Sequence, residues 1–366
     1  MSNPREKIEK IVGRKLKKIL VCRLSAIGDA VRTVPSVAAL RKVFPDCEIH
    51  WLIEDRCVDV LENLEYVDKF KIVPRRKWKK LSVWGKVKSY FNFVNGELKS
   101  EHYDLYIDFH GILKSGLYGF FAKIPVRLGY QKPIAKELNT FFTNYKMEKV
   151  TDKLSRYERN FLIPLHFDKG LKQEKAKLPI AKEERDFVSE WLKENNIKEK
   201  EFFFVYPGTS LKGRYKRWMP ERYGRPAKML YDRYKLPSVV GWGPGEEEIV
   251  EKVIASSQGK AIKIPLTTMK QLAAFIEKAY LFVGGDTGPM HISSLVGTPV
   301  ITIFGPSDPV INRPAEFTPF KIVYANWHCS PCRNKKCKTL ECLYAIKEED
   351  VLNAVEDLIK LLREEN

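Results

Sequence analysis

Short apolar runs alternate with amphipathic segments along most of the chain. Four runs in the first half predict β-strands, at residues 19–22, 48–53, 70–73 and 103–109. The same pattern restarts in the second half, with runs at residues 202–206, 238–242, 280–283 and 300–304. Helical periodicity follows these runs, at residues 35–44, 58–64, 113–121, from 220 onward, 290–296 and 348–363. Strands that alternate with helices predict an α/β protein with parallel sheets covered on both faces.

The alternation divides the chain into two doubly wound, Rossmann-like domains. A chain of 366 residues is longer than one hydrophobic core usually supports. A polar, Lys-rich stretch near 168–182 has the composition of a linker. We therefore predict domains over 1–167 and 183–345, and a last helix within 346–366 for which packing on the first domain is one arrangement. Such domains bind ligands beyond the carboxyl ends of their strands, so two facing domains predict a site in the cleft between them.

The charge is unevenly distributed. The chain has 64 Lys and Arg against 46 Asp and Glu, a formal net charge of +18. Residues 1–165 carry 32 basic and 19 acidic side chains (+13), and the rest carry 32 and 27 (+5). The densest stretch, residues 69–88, has nine basic residues and no acidic one. It predicts contact with nucleic acid, an anionic membrane, or a phosphorylated or carboxylated substrate, and a solvated surface is the alternative.

Nothing in the sequence has the length and hydropathy of a membrane-spanning helix. The first 18 residues are charged rather than apolar, unlike a secretory signal, so we expect a cytoplasmic protein. They also form a short basic amphipathic pattern. This pattern is typical either of a helix that lies on an anionic lipid surface or of one that caps the body of the fold.

Glycines and carboxylates follow the predicted strands. Gly28-Asp29 follows the first strand, and the second half repeats the arrangement at 208–209, 243–246, 284–289 and 305. Glycine permits close backbone approach, and a helix N-terminus offers free N–H groups to phosphate. Residues 284–289 directly precede a helix and therefore predict a diphosphate cradle. Neither a Walker A sequence nor a well-placed G-x-G-x-x-G is present, which disfavours ATPases and dehydrogenases.

Five blocks along nearly the whole chain resemble one family. They are residues 19–29, residues 103–115, Lys216 with Trp218 and Pro220, residues 243–248, and residues 286–291 with 304–309. In this order they resemble the lipopolysaccharide heptosyltransferases of glycosyltransferase family nine, which have the two-domain GT-B fold. The resemblance implies transfer of heptose from ADP-heptose to the inner core of lipopolysaccharide, on Kdo-lipid A or heptosylated lipid A, with inversion at the anomeric carbon.

The family's motifs imply two catalytic residues. Asp29 matches the general base that takes the proton of the acceptor hydroxyl, and a carboxylate that only starts a helix is the alternative. Lys216 matches a lysine that stabilises the leaving diphosphate, although it lies among other surface lysines. The nucleotide-sugar would be bound by Thr209, Gly243, Glu246, Asp286, Thr287, Gly288 and His291, of which His291 has a core position as its alternative.

The resemblance also gives the basic segment a partner. Arg can hold a carboxylate or phosphate with two hydrogen bonds, whereas Lys acts as a point charge. The implied acceptor-binding residues are Arg75, Arg76, Lys77, Lys79, Lys114 and Arg127. The anionic partners expected are this glycolipid and the cytoplasmic face of the inner membrane, with no nucleic acid. Another GT-B enzyme, such as a nucleotide-sugar epimerase, and a nucleic-acid-binding protein remain the alternatives.

No Asp-x-Asp element stands at a strand end, and GT-B enzymes generally work without a metal, so we expect no cofactor for catalysis. Four of the seven cysteines are closely spaced in a C-x2-C-x4-C-x4-C array. Thiolates at such spacing are typical of a structural zinc site, disulfides are a second interpretation, and free thiols are a third. The four are Cys329, Cys332, Cys337 and Cys342.

Overall fold

The computed structural model describes residues 3–150, 153–332 and 334–364. The chain forms two compact units, Met1–Pro179 and Ile180–Asn366, so the division falls near the end of the predicted linker. Each unit is built on one six-stranded parallel sheet. This arrangement confirms the predicted α/β class and the two Rossmann-like domains.

The first sheet has the strand order β3-β2-β1-β4-β5-β6. Its strands are β1 Lys18–Cys22, β2 Glu48–Glu54, β3 Lys69–Val73, β4 Leu105–Asp108, β5 Val126–Gly129 and β6 Tyr145–Lys146. The order reverses direction between β1 and β4, where Ile19 pairs with Leu105 and Cys22 with Asp108. In open parallel sheets ligands bind outside the carboxyl ends of the strands at this reversal point. The loops after β1 and β4 are therefore the first place to look for a site.

Seven helices surround the first sheet within the described residues. They are α1 Pro4–Val12, α2 Ile27–Val31, α3 Val34–Val43, α4 Arg75–Lys79, α5 Val83–Phe93, α6 Leu113–Phe121 and α7 Arg156–Phe167. Pro35 lies in the first turn of α3, as predicted, because the missing N–H of proline costs nothing there. The helix predicted at 58–64 is wrong in extent, since only the 3-10 turn Asp59–Leu61 forms. The prediction missed α4, α5 and α7, together with the strands β5 and β6.

The amphipathic N-terminal segment packs on the body of its unit. Ile8 of α1 is fully buried, α1 contacts α7, and Arg5 lies over the Phe44 ring at 5.3 Å from the ring centroid. Ile11, on the same short helix, stays exposed. The structure therefore gives α1 the capping role that was one of the two interpretations of its sequence.

The second sheet repeats the topology, with the order β12-β11-β10-β7-β8-β9. Its strands are β7 Phe203–Tyr206, β8 Ser238–Val240, β9 Ala261–Lys263, β10 Leu281–Gly285, β11 Val300–Phe304 and β12 Phe320–Tyr324. The reversal lies between β7 and β10, which pair from Phe203–Leu281 to Tyr206–Gly284. The loops after β7 and β10 thus occupy the position in the second unit that those after β1 and β4 occupy in the first.

Eight helices are described in the second unit. They are α8 Lys182–Glu194, α9 Pro220–Tyr234, α10 Glu247–Ser256, α11 Met269–Lys278, α12 Gly288–Val296, α13 Pro309–Asn312, α14 Glu341–Tyr344 and α15 Glu348–Glu364. The last helix, α15, packs on β11, β12 and α9, where Arg225 of α9 pairs with Glu348 at 2.8 Å. The second unit therefore includes this helix, and packing on the first domain stays a prediction. Its apolar residues Val351, Val355 and Leu358 complete the core of the second unit.

Across the described residues, none of the helices is both long enough and apolar enough to cross a membrane.

Candidate active site

Asp29 lies in the loop and short helix that follow β1. Ile27 begins α2, so Asp29 falls in its first turn, next to the carboxyl end of a central strand. Its carboxylate contacts three guanidinium groups: Arg23 at 2.8 Å, Arg156 at 3.1 Å, and Arg32 one helical turn further on. The Arg23 side chain is 2% exposed and that of Asp29 17% exposed. The carboxylate is thus largely removed from bulk water and surrounded by positive charge.

The three arginines determine the protonation state of Asp29. Burial by itself would raise the pKa of this carboxyl group, but the charges of Arg23, Arg32 and Arg156 outweigh burial and hold the pKa well below its usual range. Burial in turn lowers the pKa of the Arg156 guanidinium to about 9. Asp29 is consequently a carboxylate at every physiological pH.

A buried hydrogen-bond network holds the loop after β4. The carboxylate of Asp108 accepts hydrogen bonds from the backbone N–H groups of His110 (2.8 Å) and Gly111 (3.0 Å). It also accepts from the Ser115 hydroxyl and the Asn139 amide, each at 2.7 Å. Gly111 has a φ of 69°, a backbone conformation that glycine adopts readily. This network fixes the start of α6 beside the loop that carries Asp29.

His110 lies in that loop, near Arg23. Its ring is largely buried, and burial lowers its pKa to about 3, with further lowering from Arg23. The imidazole is therefore neutral near pH 7, and it adds no positive charge to those around Asp29.

Some of the predicted acceptor-binding residues are exposed on α4, whereas Lys114 and Arg127 already contact other groups of the protein. Arg75, Arg76, Lys77 and Lys79 form α4, where Arg76, Lys77 and Lys79 are exposed. Lys114 pairs with Glu54 at 2.6 Å. The Arg127 guanidinium, by contrast, donates to the carbonyl oxygens of Ile124 and Phe142 at 2.6 and 2.8 Å and lies over the Phe120 ring. The α4 side chains are available to an anion, whereas Arg127 holds β5 to the loops beside it.

Lys216 and Asp286 contact each other in the second unit. Lys216 ends a 3-10 turn, Leu211–Lys216, and its Nζ lies 3.0 Å from Asp286 Oδ2 and also donates to the Asp286 carbonyl oxygen. Asp286 directly follows β10, and Thr287 is the N-cap of α12. The first-turn N–H groups of a helix have no partner inside the helix. An ammonium group and a helix N-terminus therefore converge at the carboxyl end of a central strand, an arrangement suited to phosphate.

Glu246 lies across the loop that follows β7. Its Oε2 accepts from the Tyr206 hydroxyl and the Gly243 N–H, each at 3.0 Å. A Cβ atom at Gly208 would overlap this carboxylate, so only glycine fits there. Burial raises the pKa of the Glu246 carboxyl group, partly offset by the hydrogen bond from Gly243. The other oxygen, Oε1, lies 3.7 Å from Arg217 Nη2, and the backbone N–H of Thr209 also donates to this carboxylate.

Two further predicted residues line these loops. The Thr209 hydroxyl is buried and has no hydrogen-bond partner among the described residues, while its carbonyl oxygen accepts from Arg217 at 2.8 Å. His291 is buried in α12, and its Nε2 lies 3.9 Å from Asp286 Oδ1. The structure thus brings Lys216, Asp286, Thr287 and His291 to one loop, and places Thr209, Gly243 and Glu246 together at another.

Sequence reasoning missed five side chains that shape these sites. Two of them could have been found from the sequence, since Arg23 directly follows the first strand and Arg217 adjoins Lys216. Arg32 lies one helical turn after Asp29 and had a weaker signal. Tyr206 is the last residue of a buried strand, and its hydroxyl is recognisable only from its contact with Glu246. Arg156 lies 127 residues from Asp29, so no local pattern connects them.

The cysteine array lies between β12 and α15. All seven cysteines have free thiols; Cys329 and Cys332 are exposed, and Cys342 is buried. Burial, with a smaller contribution from the three other thiols of the array, raises the pKa of the Cys342 thiol to about 11. Within residues 3–150, 153–332 and 334–364, no three His, Cys, Asp or Glu side chains are arranged to hold a metal ion. The zinc and disulfide interpretations stay predictions.

Two tandem sheets of Rossmann type, each with polar and Gly-rich loops at its reversal point, define an enzyme of the GT-B class. The chain belongs to glycosyltransferase family 9 (heptosyltransferase), which matches residues 94–343. It is therefore a glycosyltransferase, and the epimerase alternative does not hold.

Relatives match most of the chain. Lipopolysaccharide heptosyltransferase 1 of Campylobacter coli is 25% identical over an alignment 356 residues long that covers 93% of this chain and 98% of that protein. A family 9 glycosyltransferase from Veillonella parvula has a TM-score of 0.77 at 20% identity, covering 93% of this chain and 97% of that one. The Escherichia coli heptosyltransferase WaaC, solved with ADP-2-deoxy-2-fluoro heptose, has a TM-score of 0.70 at 20% identity, covering 93% and 99%.

Proposed function

We propose that this enzyme transfers heptose from ADP-heptose to the inner core of lipopolysaccharide, with inversion at the anomeric carbon and with Asp29 as the general base. The acceptor is Kdo-lipid A or heptosylated lipid A at the cytoplasmic face of the inner membrane. The observation that carries the proposal is the contact of Lys216 with Asp286 at the start of α12, in a chain of the heptosyltransferase family.

The second unit is proposed to bind the donor. Lys216 and the N–H groups of Thr287 and Gly288 can hold the diphosphate and stabilise the charge that develops as ADP leaves. In that state Lys216 exchanges part of its contact with Asp286 for phosphate oxygens. Asp286 then has a free oxygen for a sugar hydroxyl. Glu246 Oε1 is suited to a ribose hydroxyl, because Oε2 is already held by Tyr206 and Gly243.

The first unit is proposed to supply the base. In an inverting displacement the acceptor oxygen attacks the anomeric carbon as the bond to ADP breaks, and its proton must pass to a base. A carboxylate with a lowered pKa is a weak base, so proton transfer to Asp29 fits a late step, once the C–O bond has begun to form and the hydroxyl proton has become acidic. The surrounding arginines keep Asp29 ready in the ionised form.

Acceptor recognition is assigned to α4. Its exposed side chains, Arg76, Lys77 and Lys79, can hold the carboxylate of Kdo or a lipid A phosphate. No step in this scheme uses a metal ion, since Lys216 and the start of α12 supply the positive charge that the leaving group needs.

The test is a product assay with ADP-heptose and two acceptors, Kdo-lipid A and its mono-heptosylated form, in buffer with EDTA. We expect ADP release coupled to a heptosylated product on one of the two, with the anomeric configuration inverted by NMR. ADP-mannose as a parallel donor tests the sugar. A retained configuration, a requirement for added metal, or no transfer to either acceptor would contradict the proposal.

A further inference from the structure

Helix α5 exposes an apolar face. Val83 and Trp84 in its first turn are 73% and 83% exposed, and Val87 and Phe91 are exposed as well. At helical spacing these four positions share one side of α5. The helix is anchored beside this face, because Tyr90 and Phe93 pack on the Trp78 and Tyr118 rings. Helix α5 is therefore firmly packed on its unit, and loose attachment does not explain its exposed apolar face.

The apolar surface continues from α5 to the end of α6. The Phe91 ring contacts Phe121 at 5.1 Å between centroids, and Phe121 contacts Phe120 at 5.3 Å. Phe120 is itself exposed. We call Val83, Trp84, Val87, Phe91 and Phe120 the α5–α6 surface. Contiguous apolar surface of this kind on a protein commonly marks an interaction site.

The segments that form the α5–α6 surface carry charged side chains of one sign. Residues 73–96 and 109–136, which include α4, α5, α6 and β5, contain no Asp or Glu. Lys79, Lys80, Lys88 and Lys123 in these segments are exposed, and Lys86 is half-buried on α5. A tryptophan and aliphatic residues bordered by lysines, without carboxylates, form the composition that lies at the interface of an anionic bilayer.

We propose that the α5–α6 surface docks on a membrane that contains anionic phospholipids, with Trp84 and Val87 entering the headgroup region and the lysines contacting lipid phosphates. This surface is separate from the residues assigned to donor binding and to the base, and it shares Lys79 with the α4 residues assigned to the acceptor. Vesicle binding through Trp84, Val87, Lys86 and Lys88 does not rest on the proposed function. A second copy of the chain fits less well, since its own lysines would meet these lysines. A nucleic acid would neutralise the lysines but would leave the aliphatic side chains without a partner.

Vesicle co-sedimentation of the full chain tests the docking. The lipids are phosphatidylethanolamine with phosphatidylglycerol in one arm and phosphatidylcholine in the other, with salt varied. We expect binding to the anionic vesicles that weakens as salt rises. The double variant Trp84→Ser/Val87→Ser should bind about tenfold or more weakly. The variant Lys86→Gln/Lys88→Gln should lose about fivefold for each lysine.

A matched control removes an exposed apolar residue elsewhere. Leu266 in the second unit is 54% exposed, and Leu266→Ser should bind vesicles like the unchanged protein. Circular dichroism checks that each variant is folded. Equal binding to both kinds of vesicle, no binding to either, or unchanged binding by both double variants would overturn the proposal. Gel filtration provides a further check, because an oligomer that dissociates in Trp84→Ser/Val87→Ser would assign the surface to a second copy instead.

Discussion

The exchange Asp29→Asn separates the catalytic and structural roles of the carboxylate. It keeps the shape of the side chain and removes the charge that three guanidinium groups contact. Removing one partner of a buried ion pair typically costs about 3–5 kcal/mol, because the remaining charges are left uncompensated. Loss of a general base typically costs about 10²–10⁴ in rate. We therefore expect both a less stable protein and a much lower turnover.

Arg32→Gln is the matched control for this exchange. It removes one guanidinium group from the same cluster and leaves the carboxylate in contact with Arg23 and Arg156. We expect a loss of stability comparable with that of Asp29→Asn, but a fall in turnover of less than about tenfold, since the base is retained. Urea unfolding gives the free energy of unfolding. Single-turnover rates are compared at a temperature at which circular dichroism shows both variants to be folded, and ADP affinity should be unchanged in each.

The pH dependence adds an independent measurement. The pKa of Asp29 is lowered on folding, so its contribution to stability is complete above the unfolded value of about 3.9 and is lost as pH falls through the lower folded value. Asp29 should therefore produce no acidic limb in the turnover profile between about pH 5 and 8. Equal turnover losses in Asp29→Asn and Arg32→Gln would refute the reasoning, because they would show that Asp29 serves only to hold the arginines in place.

Three further predictions concern the second unit. Lys216→Met should lower the turnover rate about 10²–10³-fold with a smaller effect on stability, measured by single-turnover kinetics and by calorimetry with ADP; an unchanged rate would remove Lys216 from the mechanism. Gly208→Ala should push the Glu246 carboxylate aside, cost about 1–3 kcal/mol of stability and weaken ADP binding, whereas Gly96→Ala, where a Cβ atom has nothing within 4 Å, should change neither. Elemental analysis, with thiol titration of the denatured protein before and after reduction, should find either about one Zn²⁺ per chain or thiols that only a reductant releases. Seven reactive thiols in denatured, unreduced, metal-free protein would contradict both interpretations. That titration reports on Cys329, Cys332, Cys337 and Cys342.

The sequence was sufficient for the central strands and their loops. Strands β1, β4, β10 and β11 are short, mostly apolar runs, and helices α6 and α12 follow β4 and β10 after short loops. The sequence was not sufficient where an element depends on tertiary contacts or on the folded backbone. Helix α5 was interpreted as part of a charge run, because Val83, Trp84 and Val87 do not face the core of its own unit and so leave no clear amphipathic pattern. The predicted helix at 58–64 shrank to one turn, since Asn63 adopts a φ of 69°, which an α-helix does not accommodate.

The same limit applies to the candidate sites. Asp29, Lys216 and Glu246 were found because each belongs to a motif beside a strand end. The pKa shifts of Asp29 and Glu246 were not predictable, because they depend in part on Arg156 and Tyr206, whose contacts with these carboxylates exist only in the folded chain. Arg127 shows the opposite case. It looked like an acceptor ligand by charge alone, yet its guanidinium group is occupied by backbone carbonyl oxygens.

The position of Arg156 affects how the first unit is assembled during synthesis. Arg156 is the first residue of α7, and a capping box between Ser155 and Glu158 fixes that helix start. A nascent chain that ends before it can form β1 and α2, yet its Asp29 has only two of its three guanidinium partners. The complete charge arrangement depends on a contact spanning 127 residues, a late event for a chain that folds as it emerges. A fragment ending before Arg156 would therefore carry the family's Gly-Asp motif with a different acidity at Asp29.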